Sequence, residues 1–334
     1  MSTPRLNAAV IGCGGHAQGH FRMIAEEPRL RLAGVCDLDP ERLARAVEEH
    51  GPVPGFQDYR RLLDEVELDV VHVVTMPGHL LPIVLEVLDR GLHVSVEKSP
   101  GMTSEETRQM AEAEAASKGR AIVSLNRRYF PEVLAVRRLV QERGGAVHVA
   151  ATYNKPLIRI GTPDVPGSPD PLICDAIHHV DLIRWLAGQG MTAARPVAVH
   201  GEVADGGRAT DHRHNAVVRY DTGAIGVLMS HYGVGFRIQR AEVHADDLSA
   251  YLELTRGRQV ELYTAADAGE GMTRGEPVTD ELDLEPVGGS DFDEVRHFTD
   301  CILEDRQPWS TLEDAVLTMR LCEAIRTGHR GPLS

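Results

Sequence analysis

The chain has 334 residues, 42% of them hydrophobic, and carries 35 Lys and Arg against 50 Asp and Glu for a formal net charge of -15. That much apolar sequence excludes a disordered chain, and the length allows two domains. So acidic a surface repels phosphate backbones, so nucleic acid is not an expected partner, although a local basic site could still receive a small anion.

The opening third alternates strands and helices. Residues 6–11 (LNAAVI) form an apolar strand, followed by GCGGHA, a helical stretch at 18–27, and a second apolar strand, LRLAGVCD, ending at Asp37. Gly12, Gly14 and Ala17 hold the G-x-G-x-x-A positions of a dinucleotide-binding turn, with Cys13 and His16 between them. There the first glycine permits the tight turn, the second admits the pyrophosphate, and the small third residue lets helix and strand pack closely. Asp37 stands where an acid accepts the adenosine ribose hydroxyls, which favours NAD over NADP; Arg42 lies near enough in sequence to soften that preference. Further strands are expected at 69–75 (DVVHVVT), 93–98 (HVSVEK) and 121–126 (AIVSLN), with helices at 82–91 and, from a Thr103–Glu106 capping box, 103–118. Thr75, Glu97, Lys98 and Asn126 fall at the carboxyl ends of these strands, where ligands bind in a doubly wound parallel sheet.

Beyond Asn126 the pattern changes. A helix at 131–142 precedes AVHVAATYN, a Pro- and Gly-rich loop, the helical run ICDAIHHVDLIRW (173–185), and a series of strand-like segments from 196 to 264. Asp221-Thr222-Gly223 is a hairpin signal, so these strands predict a mainly antiparallel sheet. The last helix is expected at 312–326, and residues 269–275 read as a mobile loop. Cys13, Cys36, Cys174, Cys301 and Cys322 are scattered without a C-x-x-C pair, which points away from disulfides and structural zinc. There is no leader-like start and no apolar run of about 20 residues, so the expectation is a cytoplasmic protein with no membrane partner.

In order and spacing, AVIGCGGHA, CDLDPER, GLHVSVEKSPGMT, LNRRYFP, AIHHVDLIRWLAG and RTGHRGP resemble the Gfo/Idh/MocA oxidoreductases over nearly the whole chain. The resemblance implies an α/β protein with a Rossmann domain at 1–126. A second α/β domain at 127–334 would carry an open, mainly antiparallel sheet that joins homodimers or homotetramers, and the last helix could pack back on the first domain. It implies Lys98, in Glu97-Lys98-Ser99-Pro100, as an active-site lysine. Thr75-Met76-Pro77-Gly78-His79 replaces the family's T-P-N-x-x-H, so that loop is rearranged; Thr75, Met76 and His79 are carried as cofactor contacts, with Asn126 and Arg127.

The family helix D-x-A-I-H-x-x-D aligns His178 with the catalytic histidine and Asp181 with the final acid, leaving Cys174 at the first Asp and Asp175 one place along. Regular helical spacing puts Cys174, His178, Asp181 and Trp185 on one stripe, and makes Asp175 and His179 a surface i, i+4 pair. His178 then takes a hydroxyl proton while Lys98 steadies the same oxygen. The competing readings are a helix with merely solvated polar residues, or a metal site joining Cys174 and His178 to His212 or His214, which otherwise belong to a solvated loop. Asn154, Lys155, Asp181 and His231 are further substrate candidates, and one of Arg127 and Arg128 is expected to point at a ligand. The expected activity is NAD-dependent oxidation of a polyol, inositol or sugar-like alcohol, without metal. The alternatives are an enzyme that retains its NAD without net turnover of it, and a non-catalytic dinucleotide sensor.

Overall fold

The computed structural model describes residues 5–156, 170–205, 212–255, 259–264 and 294–333. They form two compact units. The first runs to Ser124 and takes in the C-terminal stretch up to Val316; the second starts at Leu125 and resumes at Leu317. The loop expected at 269–275 lies outside the described residues.

In the first unit, β1 (Leu6–Ile11), β2 (Leu30–Cys36), β3 (Gly55–Phe56), β4 (Val70–Val73), β5 (His93–Val96) and β6 (Ala121–Val123) make one sheet in the order β3-β2-β1-β4-β5-β6. Every pairing is parallel. All four residues of β4 are buried, which explains its unbroken apolar run. The strand order reverses between β1 and β4, and the carboxyl ends diverge there into a crevice. Helix α1 (Ala17–Glu26) follows β1. Two helices were not legible in the apolar pattern: α2 (Pro40–His50) and α3 (Tyr59–Glu65), capped by Asp39 and Asp58. Ala46 is the one buried residue of α2, so its sequence carries almost no apolar stripe.

Helix α4 (Pro77–Asp89) begins earlier than expected and keeps Pro82 inside it. Pro77 takes a first-turn position, where a missing N–H costs nothing. Pro77, Gly78 and His79 of that loop are thus the start of a helix. In α5 (Ser104–Ala116) the Thr103 hydroxyl accepts from the Glu106 N–H at 3.2 Å, while the Glu106 carboxylate reaches past the cap to the Met102 N–H at 2.7 Å. Helix α8 (Glu294–Leu303) completes this unit, and Ser310 is bonded to both the N–H and the carbonyl of Val123 on β6.

The second unit opens with a 3₁₀ turn (Asn126–Tyr129) and α6 (Pro131–Glu142). Its sheet comprises β7 (His148–Pro156), β8 (Pro196–Asp205), β9 (His212–Tyr220), β10 (Ile225–His231), β11 (Gly233–Ala245), β12 (Leu248–Glu253), β13 (Gln259–Thr264) and β14 (Arg330–Pro332). The order is β13-β12-β11-β7-β10-β9-β8-β14, antiparallel throughout except where β10 runs parallel to β7. The hairpin turn joins β9 to β10, with Gly223 at φ 89°. His214 is not in a solvated loop: period-two alternation on β9 buries it together with Ala216, Val218 and Tyr220.

A π-helical turn (Leu172–Ala176) leads into α7 (Ile177–Ala187), all of whose residues are buried. What fixes this helix is a buried ion pair. Arg128 donates from Nε to Asp181 Oδ2 at 2.7 Å and from a second nitrogen to Oδ1, and both side chains are within 1% of fully buried. Thr318, on α9 (Leu312–Arg326), donates to the same carboxylate at 2.9 Å and accepts from Arg184. The guanidinium carbons of Arg128 and Arg137 lie 5.0 and 3.9 Å from the centre of the Trp185 ring. Burial, and then the charge of Arg128, push the Arg137 pKa down to about 9. Removing one partner of such a pair strands the other in a water-poor interior. Arg128→Ala should therefore lower stability by about 3–5 kcal/mol in urea unfolding of the second unit.

Candidate functional site

The first unit presents a cradle at the carboxyl ends of β1 and β4. Gly12 stands at φ 95°, and a Cβ there would lie 2.3 Å from the Val74 carbonyl oxygen, so no other residue fits. Gly14 differs: a Cβ at that position would meet only the Arg42 guanidinium, 3.9 Å away. The turn is therefore closed beneath Gly12 and open above Gly14, the side from which a pyrophosphate approaches. Ala17 is wholly buried and lets α1 sit close on the sheet. His16 precedes α1 without a side-chain cap, and the first turn of α1 holds no acid, which leaves that end suited to an anion.

Asp37 follows β2. Its Oδ2 accepts from the Cys13 N–H at 2.7 Å and its Oδ1 from the Asp39 N–H at 2.8 Å, so the carboxylate is held at the crevice edge. Arg42 is 3.4 Å from Asp39. Burial, then the charge of Asp37, push the Cys13 thiol up to about 12, so it stays protonated and is no nucleophile. Thr75 and Met76 sit between β4 and α4, and His79 lies in the first turn of α4 with its N–H bonded to the Met76 carbonyl. Glu97 extends β5, with its N–H on the Val73 carbonyl at 3.0 Å, and Lys98 comes next, joined to Ser99 by a cis peptide bond. These residues fit a dinucleotide: a glycine-lined turn, an uncapped helix end and the held carboxylate of Asp37 converge at the switch point of the sheet.

The second unit collects a different polar group. Asp175 Oδ1 accepts from the Tyr153 hydroxyl and from Lys155 Nζ, each at 2.7 Å. Tyr153 and Lys155 share one face of β7, the face that packs on α7. Burial, then the charge of Asp175, push the Tyr153 pKa upward, so its hydroxyl stays a donor. The expected surface pair of Asp175 and His179 does not form. His179 is fully buried with its ring edge-on to Tyr153, centroids 4.9 Å apart, while Asp175 turns toward β7. The cause is the π-helical turn, whose extra residue breaks the regular i, i+4 spacing that the stripe reading assumed. Burial, then Arg127 and Arg237, hold the His179 pKa well below its ordinary value, so that ring is neutral. His178 is 7% exposed, and Cys174 is partly exposed.

The other substrate candidates separate. The Asp181 carboxylate is engaged by Arg128 and Thr318 inside the second unit, which makes it a structural group. Asn154 Oδ1 accepts from the His231 N–H at 2.9 Å across the parallel pair of β7 and β10. Alternation turns both to the face away from Tyr153 and Lys155. Arg127 donates to Asn126 at 2.6 Å and to Gln239 at 2.8 Å, and Arg128 belongs to the ion pair. Two residues the sequence reading passed over, His20 and His72, are buried in contact with one another, and His20 is also beside Glu97. A histidine four residues into α1, on its apolar face, was the available signal.

Among the described residues, no helix is long and apolar enough to cross a membrane. The family model described as an oxidoreductase family with an NAD-binding Rossmann fold matches residues 6–125, and its companion for the C-terminal alpha/beta domain matches residues 165–331. Inositol 2-dehydrogenase 2 of Saccharopolyspora erythraea is 30% identical over 194 residues, 57% of this chain and 56% of its own length. Inositol 2-dehydrogenase of Paracoccus denitrificans is 29% identical over the same shares. The match thus spans about half the length of these relatives. Among solved structures, levoglucosan dehydrogenase in complex with NADH and L-sorbose superposes with TM-score 0.84 at 19% identity, over 97% of this chain and 96% of that one. The WlbA dehydrogenase from Bordetella pertussis, in complex with NADH and UDP-GlcNAcA, gives 0.83 at 19%, over 100% and 99%. At these identities the likeness shows the fold.

The two glycines of the turn should part company on substitution. Gly12→Ala should lower the melting temperature, because the strained φ and the Val74 carbonyl resist a side chain. Gly14→Ala should melt like wild type and bind NADH more weakly in a fluorescence titration. By its two matched domains, this chain belongs to the Gfo/Idh/MocA oxidoreductase family, whose first domain is an NAD-binding Rossmann fold.

Proposed function

We propose that this chain is an NAD-dependent dehydrogenase acting on a polyol, inositol or sugar-like alcohol. The observation that carries the reading is the cradle from Gly12 to Asp37, closed below and open toward the phosphates, in a chain whose relatives include inositol 2-dehydrogenases. When bound, the nicotinamide supplies the hydride acceptor.

His178 takes the hydroxyl proton as the alcohol is oxidised, a role suited to an imidazole near neutral pH. Lys98, the lysine of the family's active-site motif, carries an ammonium that can donate a hydrogen bond and offset developing charge. The acid of the family helix is Asp175 rather than Cys174: the π-helical turn gives it to Tyr153 and Lys155, which hold its oxygens at one place beside the start of α7. Cys174 is then a neighbour of the site and not a proton carrier.

The open face of the second sheet supports assembly with a second copy of the chain. Val217, Ile225, Met229 and Tyr251 are exposed large apolar side chains on β9, β10 and β12. Light scattering should give a mass of at least twice the monomer, and Met229→Lys should shift it toward the monomer.

The direct test of the chemistry follows the absorbance of reduced nicotinamide while the protein and NAD meet a panel of inositols, sugars, sugar acids and sugar phosphates. A rise is expected with one class, and His178→Ala should lower that rate by roughly 10²–10⁴. NADH binding without turnover on any member of the panel would overturn the dehydrogenase reading.

A further inference from the structure

Beneath the cofactor turn lies a buried chain of three polar side chains that the proposed chemistry does not use. His20, on the inner face of α1, is 3% exposed. Its Nε2 is 3.8 Å from Oε1 of Glu97, at the end of β5. Its Nδ1 is 3.3 Å from Nδ1 of His72 on β4, which is 1% exposed. The rings meet edge-on at 66°, centroids 5.4 Å apart.

Two like nitrogens at this distance can bond only if one carries a proton and the other a lone pair. The surroundings decide which. Burial opposes a charge on His20, but the Glu97 carboxylate, and after it Glu294 of α8, outweigh burial and raise its pKa. Burial, reinforced by the charge of His20, holds His72 well below its ordinary value. Burial likewise opposes a charge on Glu97, yet His20, then Lys98 and His16, bring its pKa below the usual carboxylate value. The assignment is therefore an imidazolium at His20 that faces Glu97 on one side and donates Nδ1–H to a neutral His72 on the other.

This chain joins three elements that must keep register for a dinucleotide to bind: the helix after the glycine turn, the strand at the switch point, and the strand end that carries Lys98. We propose that His20, backed by His72, is a positioning residue that ties the Glu97 carboxylate to α1 and so holds the Glu97–Lys98 strand end in place for the bound nicotinamide. The proposal rests on the reading of Glu97 and Lys98 as cofactor-side residues. Only a side chain with two nitrogens on opposite edges can span the carboxylate and His72 from one position on α1. With His20 neutral or absent, Glu97 keeps Lys98 as its positive neighbour, and the strand end loses its tie to the helix.

The test is an NADH fluorescence titration from about pH 5.5 to 9 on the full-length wild type and on His20→Gln, Glu97→Gln and His72→Leu, with circular dichroism to confirm folding. The competent form carries a proton on His20, so wild-type affinity should hold at low pH and weaken as pH rises through the raised His20 pKa. His20→Gln should bind about tenfold more weakly at the acid end and lose this pH dependence. His72→Leu should move the pH dependence to lower pH, because the imidazolium loses its acceptor. Wild-type affinity and pH profile in His20→Gln, beside weakened binding in Glu97→Gln, would overturn the role of His20 alone. Wild-type affinity in Glu97→Gln would overturn the underlying placement of Glu97 instead. Imidazole NMR of the wild-type protein gives a readout that needs no variant: a His20 resonance titrating at or below the ordinary histidine value overturns the charged bridge.

Discussion

The buried pair of Arg128 and Asp181 is the constraint on which the second unit turns. A helix with every residue buried cannot be placed by an apolar stripe, because it has apolar and polar groups on all sides. A bidentate ion pair in a dry interior supplies direction that hydrophobic contact lacks, since an uncompensated charge there is costly. Asp181 lies one turn from His178, and Arg128 lies five residues beyond the end of β6. Their pairing, completed by Thr318, Arg184 and the Trp185 ring, fixes the rotation of α7 about its own axis. The orientation of His178 and of the turn before it follows from that rotation.

The π-helical turn then does what a regular helix could not. It lets one residue, Asp175, leave the helical repeat and meet Tyr153 and Lys155 on the neighbouring strand. Wide turns of this kind recur at functional sites because the extra residue frees a side chain from the i, i+4 lattice. Next to it, His179 is enclosed and held neutral by burial and nearby arginines, while His178 keeps a small exposure.

The first unit works by exclusion and charge. Gly12 excludes any side chain so that β1 can pass under the Val74 carbonyl into α1. Glu97 and His20 place a paired charge under the same turn, in a region the sheet otherwise fills with aliphatic side chains. That pairing links the cofactor helix to the strand end in a family whose first domain is defined by dinucleotide binding.

Much of this was written in local sequence. The parallel sheet was legible because strands buried on both faces must read as continuous apolar runs, and the cofactor turn because only glycine tolerates the conformation at position 12. The capped but apolar-poor α2 and α3 escaped, since a helix with one buried residue leaves no periodic trace. The early start of α4 escaped as well, because Pro77 and Pro82 read as breakers when one of them was an initiator. Around the candidate site the sequence named Lys98, His178 and Asp175 through their motifs but gave Asp175 a surface partner in His179 that it does not have. The stripe assigned to Asp175 and His179 assumed 3.6 residues per turn, and the substrate reading of Asp181 took no account of the buried Arg128 it pairs with. Burial, the π-helical turn and strand alternation are properties of the packed chain. The sequence by itself determined which residue types stand at each element's end. Only the tertiary structure decided which of them face one another, because a buried charge takes its partner from whatever element packs against it, however distant in sequence.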